Sequence, residues 1–168
     1  MVPFPMLSLD DIHHLDAAEG WLELGHWVDC FDALERIDHL HRSDAAVMAL
    51  RWNLYNKARQ HVIAADLALG IQRRFPDEPA GFIWRSISLE KLGRFQDAYD
   101  NLRPVAGKFP DTGINPFFLA TYACELGNLG EARAWLVLAF RAPDNKELKT
   151  QALDEERLEP FWRKIGAI

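Results

Sequence analysis

The chain has 168 residues, 49% hydrophobic and 26% charged, which is enough to bury a core as one domain or one short repeat array and excludes a disordered composition. A net charge of -6 with no Lys/Arg-rich block argues against nucleic acid or an anionic membrane as the main partner. No apolar run approaches the roughly 18 residues of a membrane span, and Met1-Val2-Pro3-Phe4-Pro5-Met6-Leu7 lacks the basic start of a secretory signal, so the expectation is a cytoplasmic protein with reduced cysteines.

In chain order, the prolines of Val2 to Leu7 disfavour helix and leave an apolar, extended strip. Packed on its own first hairpin the strip is structural. Laid in a neighbour's groove it makes a homo-oligomer. Ser8-Leu9-Asp10-Asp11 then reads as a capping box that opens a helix to about Leu24. Gly25 marks a reversal, and a second helix follows with Trp27, Cys30, Leu34 and Ile37 at helical spacing.

The same succession then returns every 34 residues. Leu24, Ala58, Leu92 and Leu126 form one column; the turn column is Gly25, Arg59, Gly93 and Gly127. Cys30, Ala64, Ala98 and Ala132 form a small column, where closely crossing helices leave room for little more than a methyl or thiol. Leu34, Ala68, Leu102 and Leu136, then Ile37, Ile71, Val105 and Ala139, mark the buried side of the second helices. Phe75-Pro76-Asp77 recurs as Phe109-Pro110-Asp111, proline stopping one helix and Asp capping the next, whereas the first repeat ends in Arg42. Two residues break the pattern. Trp52 stands in a column that is otherwise Ala18, Ser86 and Ala120, and Pro104, deep in a second helix, must bend or break it near Asn101.

These columns resemble the tetratricopeptide repeat (TPR) family, and more specifically small bacterial members with four units and a C-terminal capping helix. The resemblance divides the chain into an N-terminal extended segment (1–10), four units (11–44, 45–78, 79–112 and 113–146) and a capping segment (147–168) in which Leu153, Leu158, Phe161 and Trp162 seal the core. It implies an all-α, right-handed α-α superhelix of antiparallel helix pairs. It also implies a non-enzymatic scaffold that binds a protein or peptide segment in a concave groove lined by the first helix of each unit. A secretion-type chaperone or a self-associating adaptor is the alternative.

Helical phase nominates the groove residues: Leu15, Glu19 and Leu22 in the first unit, Asn53, Asn56 and Lys57 in the second, Ile83, Trp84, Ile87, Glu90 and Lys91 in the third, Phe117, Thr121 and Glu125 in the fourth. Asparagine side chains both donate and accept, which suits them to the backbone of an extended peptide. The cationic clamp by which some family members grip a C-terminal carboxylate has no counterpart here, because Leu15, Asp16, Ala80 and Trp84 stand where charge is needed. Arg51 and Arg85, 34 residues apart on a face that should be partly buried, read either as ties between units, with carboxylates such as Glu19, Asp66 or Asp100 as partners, or as ligand-binding residues.

Chemistry finds no constellation. His13, His14, His26, His39, His41 and His61 form no metal-ligand set, and His39 and His41, two apart on a helix, diverge. Cys30, in an alanine-like column, reads as an inert thiol, and the single turn glycines make no phosphate loop. No cofactor and no metal are expected.

Overall fold

The computed structural model describes residues 7–109, 113–143 and 145–167, and among them every regular element is helical. Residues 1–6, the core of the proposed self-association strip, and Pro110-Asp111 of the second Phe-Pro-Asp motif lie outside the described residues. The helices are α1 (Leu9–Glu23), α2 (Trp27–Arg36), α3 (Ala45–Lys57), α4 (His61–Arg74), α5 (Ala80–Lys91), α6 (Phe95–Leu102), α7 (Ile114–Glu125), α8 (Leu129–Ala139) and α9 (Asn145–Asp154). Two 3-10 stretches, Arg103–Val105 and Glu156–Ala167, complete them. The chain divides into two compact bodies, the division falling between Ser88 and Leu89 of α5.

In the N-terminal body, α1 starts as expected. The Ser8 hydroxyl accepts from the Asp11 amide at 3.1 Å and the Asp11 carboxylate accepts from the Ser8 amide at 3.4 Å, closing a capping box, with the Ser8 hydroxyl also donating to that carboxylate at 2.6 Å. The pair α1/α2 packs around Ala18, Leu22, Cys30, Leu34, Ile37, Val47 and Leu54, with Leu7 laid against the same cluster. The pair α3/α4 packs around Trp52, Ala64, Ala68 and Ile71. Gly81 permits α5 to approach α4, since a Cβ there would come within 2.6 Å of the Gln72 backbone nitrogen.

Electrostatic ties hold the turns of this body. Asp11 accepts from the Asp38 amide at 2.8 Å and from His41 Nδ1 at 2.6 Å, so the start of α1 is fastened to the segment between α2 and α3. That segment is a turn, which corrects the placement of His39 and His41 on a helix: α2 ends at Arg36, and His41 is taken inward as a partner of Asp11. Arg42, in the place of the missing proline, ends α2 by another means. Its guanidinium donates to the carbonyls of Glu35 at 2.6 Å and Ile37 at 3.2 Å, a cation on the electronegative helix end.

In the C-terminal body, α6 stops at Leu102 and the chain passes into the 3-10 stretch containing Pro104, as its missing N–H requires. The pair α7/α8 is covered by the closing segment, whose Leu158, Phe161 and Ile165 are buried together with Leu148 and Ala152 of α9. Trp162 donates its indole N–H to the Ala152 carbonyl at 3.0 Å. Leu153 is half exposed at 50%, which corrects its assignment to the seal; Ala152, one residue earlier in α9, takes the inward position.

The small column is fully buried in both bodies: Cys30, Ala64, Ala98 and Ala132 are each 0% exposed. The turn column shares one backbone geometry, with φ of 75° at Gly25, 59° at Arg59, 72° at Gly93 and 77° at Gly127. Arginine thus occupies a left-handed position that glycine takes in the other three turns.

Candidate functional site

First helices α1, α3 and α5 present one concavity of the N-terminal body, a pocket of about 380 Å³. Its walls are Leu15 and Glu19 from α1, Ala46, Ala49, Leu50, Trp52 and Asn53 from α3, and Trp84 from α5. Helical phase nominated Leu15, Glu19, Asn53 and Trp84, and the structure brings these four together. It did not nominate Ala46, Ala49, Leu50 or Trp52. The signal available for Trp52 was its departure from the small column.

Trp52 organises the floor. Its ring stacks on Trp84, with centroids 5.0 Å apart and planes inclined by 10°. Its indole N–H donates to the Ser88 hydroxyl at 3.0 Å, and Ser88 in turn donates to the Trp84 carbonyl at 2.8 Å. The Trp52 indole is therefore fixed by stacking and by a buried hydrogen bond, and the Trp84 ring by stacking on it. Ile87 packs half-buried on the same cluster. Asn56, half-buried on α3, has a side-chain carbonyl with no hydrogen-bond partner among the described residues, and Lys57 is exposed at the helix end.

The remaining nominated residues fall elsewhere. Leu22 is buried in the α1/α2 core. Glu90 and Lys91 belong to the C-terminal body, where Arg157 meets Glu90 through Nη1 at 3.2 Å and Glu155 through Nε at 2.7 Å and Nη2 at 2.8 Å. Burial, with the Glu90 charge nearby, pushes the Tyr122 hydroxyl well above the usual phenol range. Phe117 is 5% exposed and Thr121 is buried with its hydroxyl donating to the Phe118 carbonyl at 2.8 Å, so neither lines a surface. The physical reason is that α7 packs against α6, α8 and the closing 3-10 segment at once, leaving no exposed stripe.

Arg51 takes a structural place. Its Nη1 meets Glu35 Oε1 at 2.6 Å and its Nη2 donates to the Leu34 carbonyl at 3.0 Å, tying α3 to the end of α2. The arginine holds the Glu35 carboxyl below the usual carboxylate range. The partner is therefore Glu35, and not Glu19, Asp66 or Asp100. Burial raises the Cys30 thiol to about 11 although Arg51 opposes the shift, as an inert core thiol requires. No group of three or more His, Cys, Asp or Glu that could hold a metal occurs among the described residues, and no described helix is long and apolar enough to cross a membrane.

Comparison with solved structures places this arrangement among known folds. The chain superposes on MamA from AMB-1 with a TM-score of 0.62 at 17% identity, over 95% of this chain and 99% of the other. MamA from MSR-1 gives 0.63 at 16% identity, over 95% and 97% of the two chains, and a substituted MamA gives 0.64 at 16%, over 95% and 92%. No protein-family model matches the chain, and no curated protein matches its sequence. MamA is TPR-like, and a likeness at this identity shows the fold alone: an all-α superhelical array of helix pairs, the class that the 34-residue period implies.

Proposed function

We propose that the protein is a TPR-type interaction scaffold that holds an extended segment of a protein partner, without chemistry, in the groove of its N-terminal body. The observation that supports this most is the convergence of Leu15, Glu19, Asn53 and Trp84 from three first helices on one pocket. Leu15, Leu50 and the Trp84 ring offer an apolar seat for a side chain, while Asn53 and Glu19 offer an amide and a carboxylate to the backbone N–H groups of a bound strand. The two indoles are stacked and that of Trp52 is hydrogen-bonded, so little rotamer freedom is lost when a partner arrives.

The test is affinity capture from the native cell extract with wild type and with the combined Asn53→Ala, Asn56→Ala and Lys57→Ala variant as bait. These side chains lie outside the buried core, so helical content and melting stay at wild-type values while a specific partner is lost from the variant. A partner retained equally by both baits overturns the groove assignment.

A further inference from the structure

A second concavity lies in the C-terminal body, beside the 3-10 stretch that contains Pro104. Proline in the last turn of a helix removes one backbone bond and collides with the carbonyl four residues earlier. α6 accordingly has 8 residues, against 10, 14 and 11 in the second helices α2, α4 and α8. From there the chain runs through the 3-10 stretch and the turn at Ala106 and Gly107, which with α8 border a pocket of about 470 Å³. That volume lies within the roughly 300–1,000 Å³ of small-ligand sites.

The lining has one chemical character. Phe109, Pro116, Trp135 and Leu138 make the walls, and Ala106, Gly107 and Ala142 keep them apart. Trp135 is fixed from behind, its indole N–H donating to the Tyr99 hydroxyl at 3.2 Å while that hydroxyl donates to Glu131. Its ring is thus a positioned wall whose polar atom is already engaged. The remaining polar side chains of the lining are two guanidiniums, Arg103 and Arg141. Arg103 stands 6.0 Å over the Tyr99 ring, and among the described residues neither arginine has a carboxylate partner, unlike Arg42, Arg51, Arg94 and Arg157.

An apolar cavity whose free polar side chains are both cationic suits a ligand with one anionic head on an apolar body. A peptide would leave its backbone groups without side-chain partners along these walls. We propose that this pocket binds an amphipathic organic carboxylate, with Arg103 and Arg141 holding the head group and Phe109, Trp135 and Leu138 enclosing the aliphatic body. The site is independent of the groove of the N-terminal body.

The probe is dodecanoate, titrated below its micelle threshold into the full chain by calorimetry. Saturable 1:1 binding is expected, with dodecyltrimethylammonium, the cation of equal chain length, failing to compete. The Arg103→Ala/Arg141→Ala variant, altered only at exposed side chains, weakens binding at least tenfold at unchanged helical content. Leu138→Trp, which fills the cavity from a position 47% exposed, abolishes it with both arginines intact. Absence of saturation, equal binding by the arginine variant, or competition by the cation overturns the assignment.

Discussion

Replacing Arg59 by glycine should stabilise the protein. The turn it occupies is built four times with the same hydrogen bonds: Arg59 N to Asn56 O at 3.1 Å and Gln60 N to Tyr55 O at 2.8 Å match Gly93 N to Glu90 O at 2.8 Å and Arg94 N to Leu89 O at 2.9 Å. Arg59 alone reaches it with a side chain, at φ 59°. A left-handed non-glycine residue costs about 1–2 kcal/mol. Glycine returns about 0.4–1 kcal/mol of this through the larger entropy of the unfolded chain, for a net gain of roughly 0.5–1 kcal/mol. The Arg59 side chain is exposed and has no ion pair among the described residues, so nothing else is lost. For a chain of this length the gain corresponds to a rise in Tm of about 1–4 °C. Urea denaturation followed by helical circular dichroism reads it, with Gly93→Ala and Gly127→Ala as reciprocal controls. A Cβ at either glycine meets nothing within 4 Å, so those variants register the left-handed strain less the same entropy difference, without a steric clash, and lose roughly 0.5–1 kcal/mol. A lower midpoint for Arg59→Gly, or unchanged midpoints for the two alanine variants, refutes the strain argument.

Two further outcomes follow from the ties in the N-terminal body. Glu35→Ala leaves the Arg51 guanidinium, 13% exposed, without its carboxylate, and since Glu35 is itself 36% exposed the loss is about 1–2 kcal/mol by urea midpoint; adding Arg51→Met recovers part of it, and a loss equal to that of an exposed glutamate on α1 contradicts the tie. The hydrogen bonds from Ser8, the Asp38 amide and His41 hold the Asp11 carboxyl well below its usual value, so its contribution is complete above the ordinary carboxylate range near pH 4 and is lost as pH falls through and below that range. Asp11→Asn should therefore be less stable than wild type at neutral pH, with the gap closing between about pH 4 and pH 2, and a gap independent of pH refutes the assignment.

What the sequence could reveal was what repeats. The columns Cys30 to Ala132 and Leu34 to Leu136 are buried throughout because stacking imposes the same crossing at each step, and Pro104 breaks its helix wherever it stands. Period does not choose partners. Phase placed Arg51 on a half-buried face, but Glu35 became its carboxylate through the end of α2, and Asp11 meets His41 across 30 residues of chain. Phe117 and Thr121 were drawn to a groove because phase assumes one open face per first helix, which fails for α7 under its cap. Leu153 was misplaced for a related cause: beyond residue 146 no repeat sets the register, and a ten-residue helix followed by a 3-10 stretch turns a different stripe inward.

The departures from the period are where the candidate sites lie. A column that requires a small residue at Ala18 and Ala120, both 0% exposed, accepts Trp52 only because its ring turns onto Trp84 and its N–H finds Ser88. An indole buried without that acceptor would leave a polar group unpaired, at a cost of about 1–3 kcal/mol. Ser88, buried and already donating to the Trp84 carbonyl, is thus as much a requirement of the pocket as the tryptophans, although its own column gives no sign of it. In the other body Pro104 ends α6 in a 3-10 stretch, and that stretch borders the pocket that Arg103 and Arg141 flank. In each body the repeating residues fix the helix pairs, and an aperiodic residue, Trp52 on α3 or Pro104 in the 3-10 stretch after α6, borders the cavity.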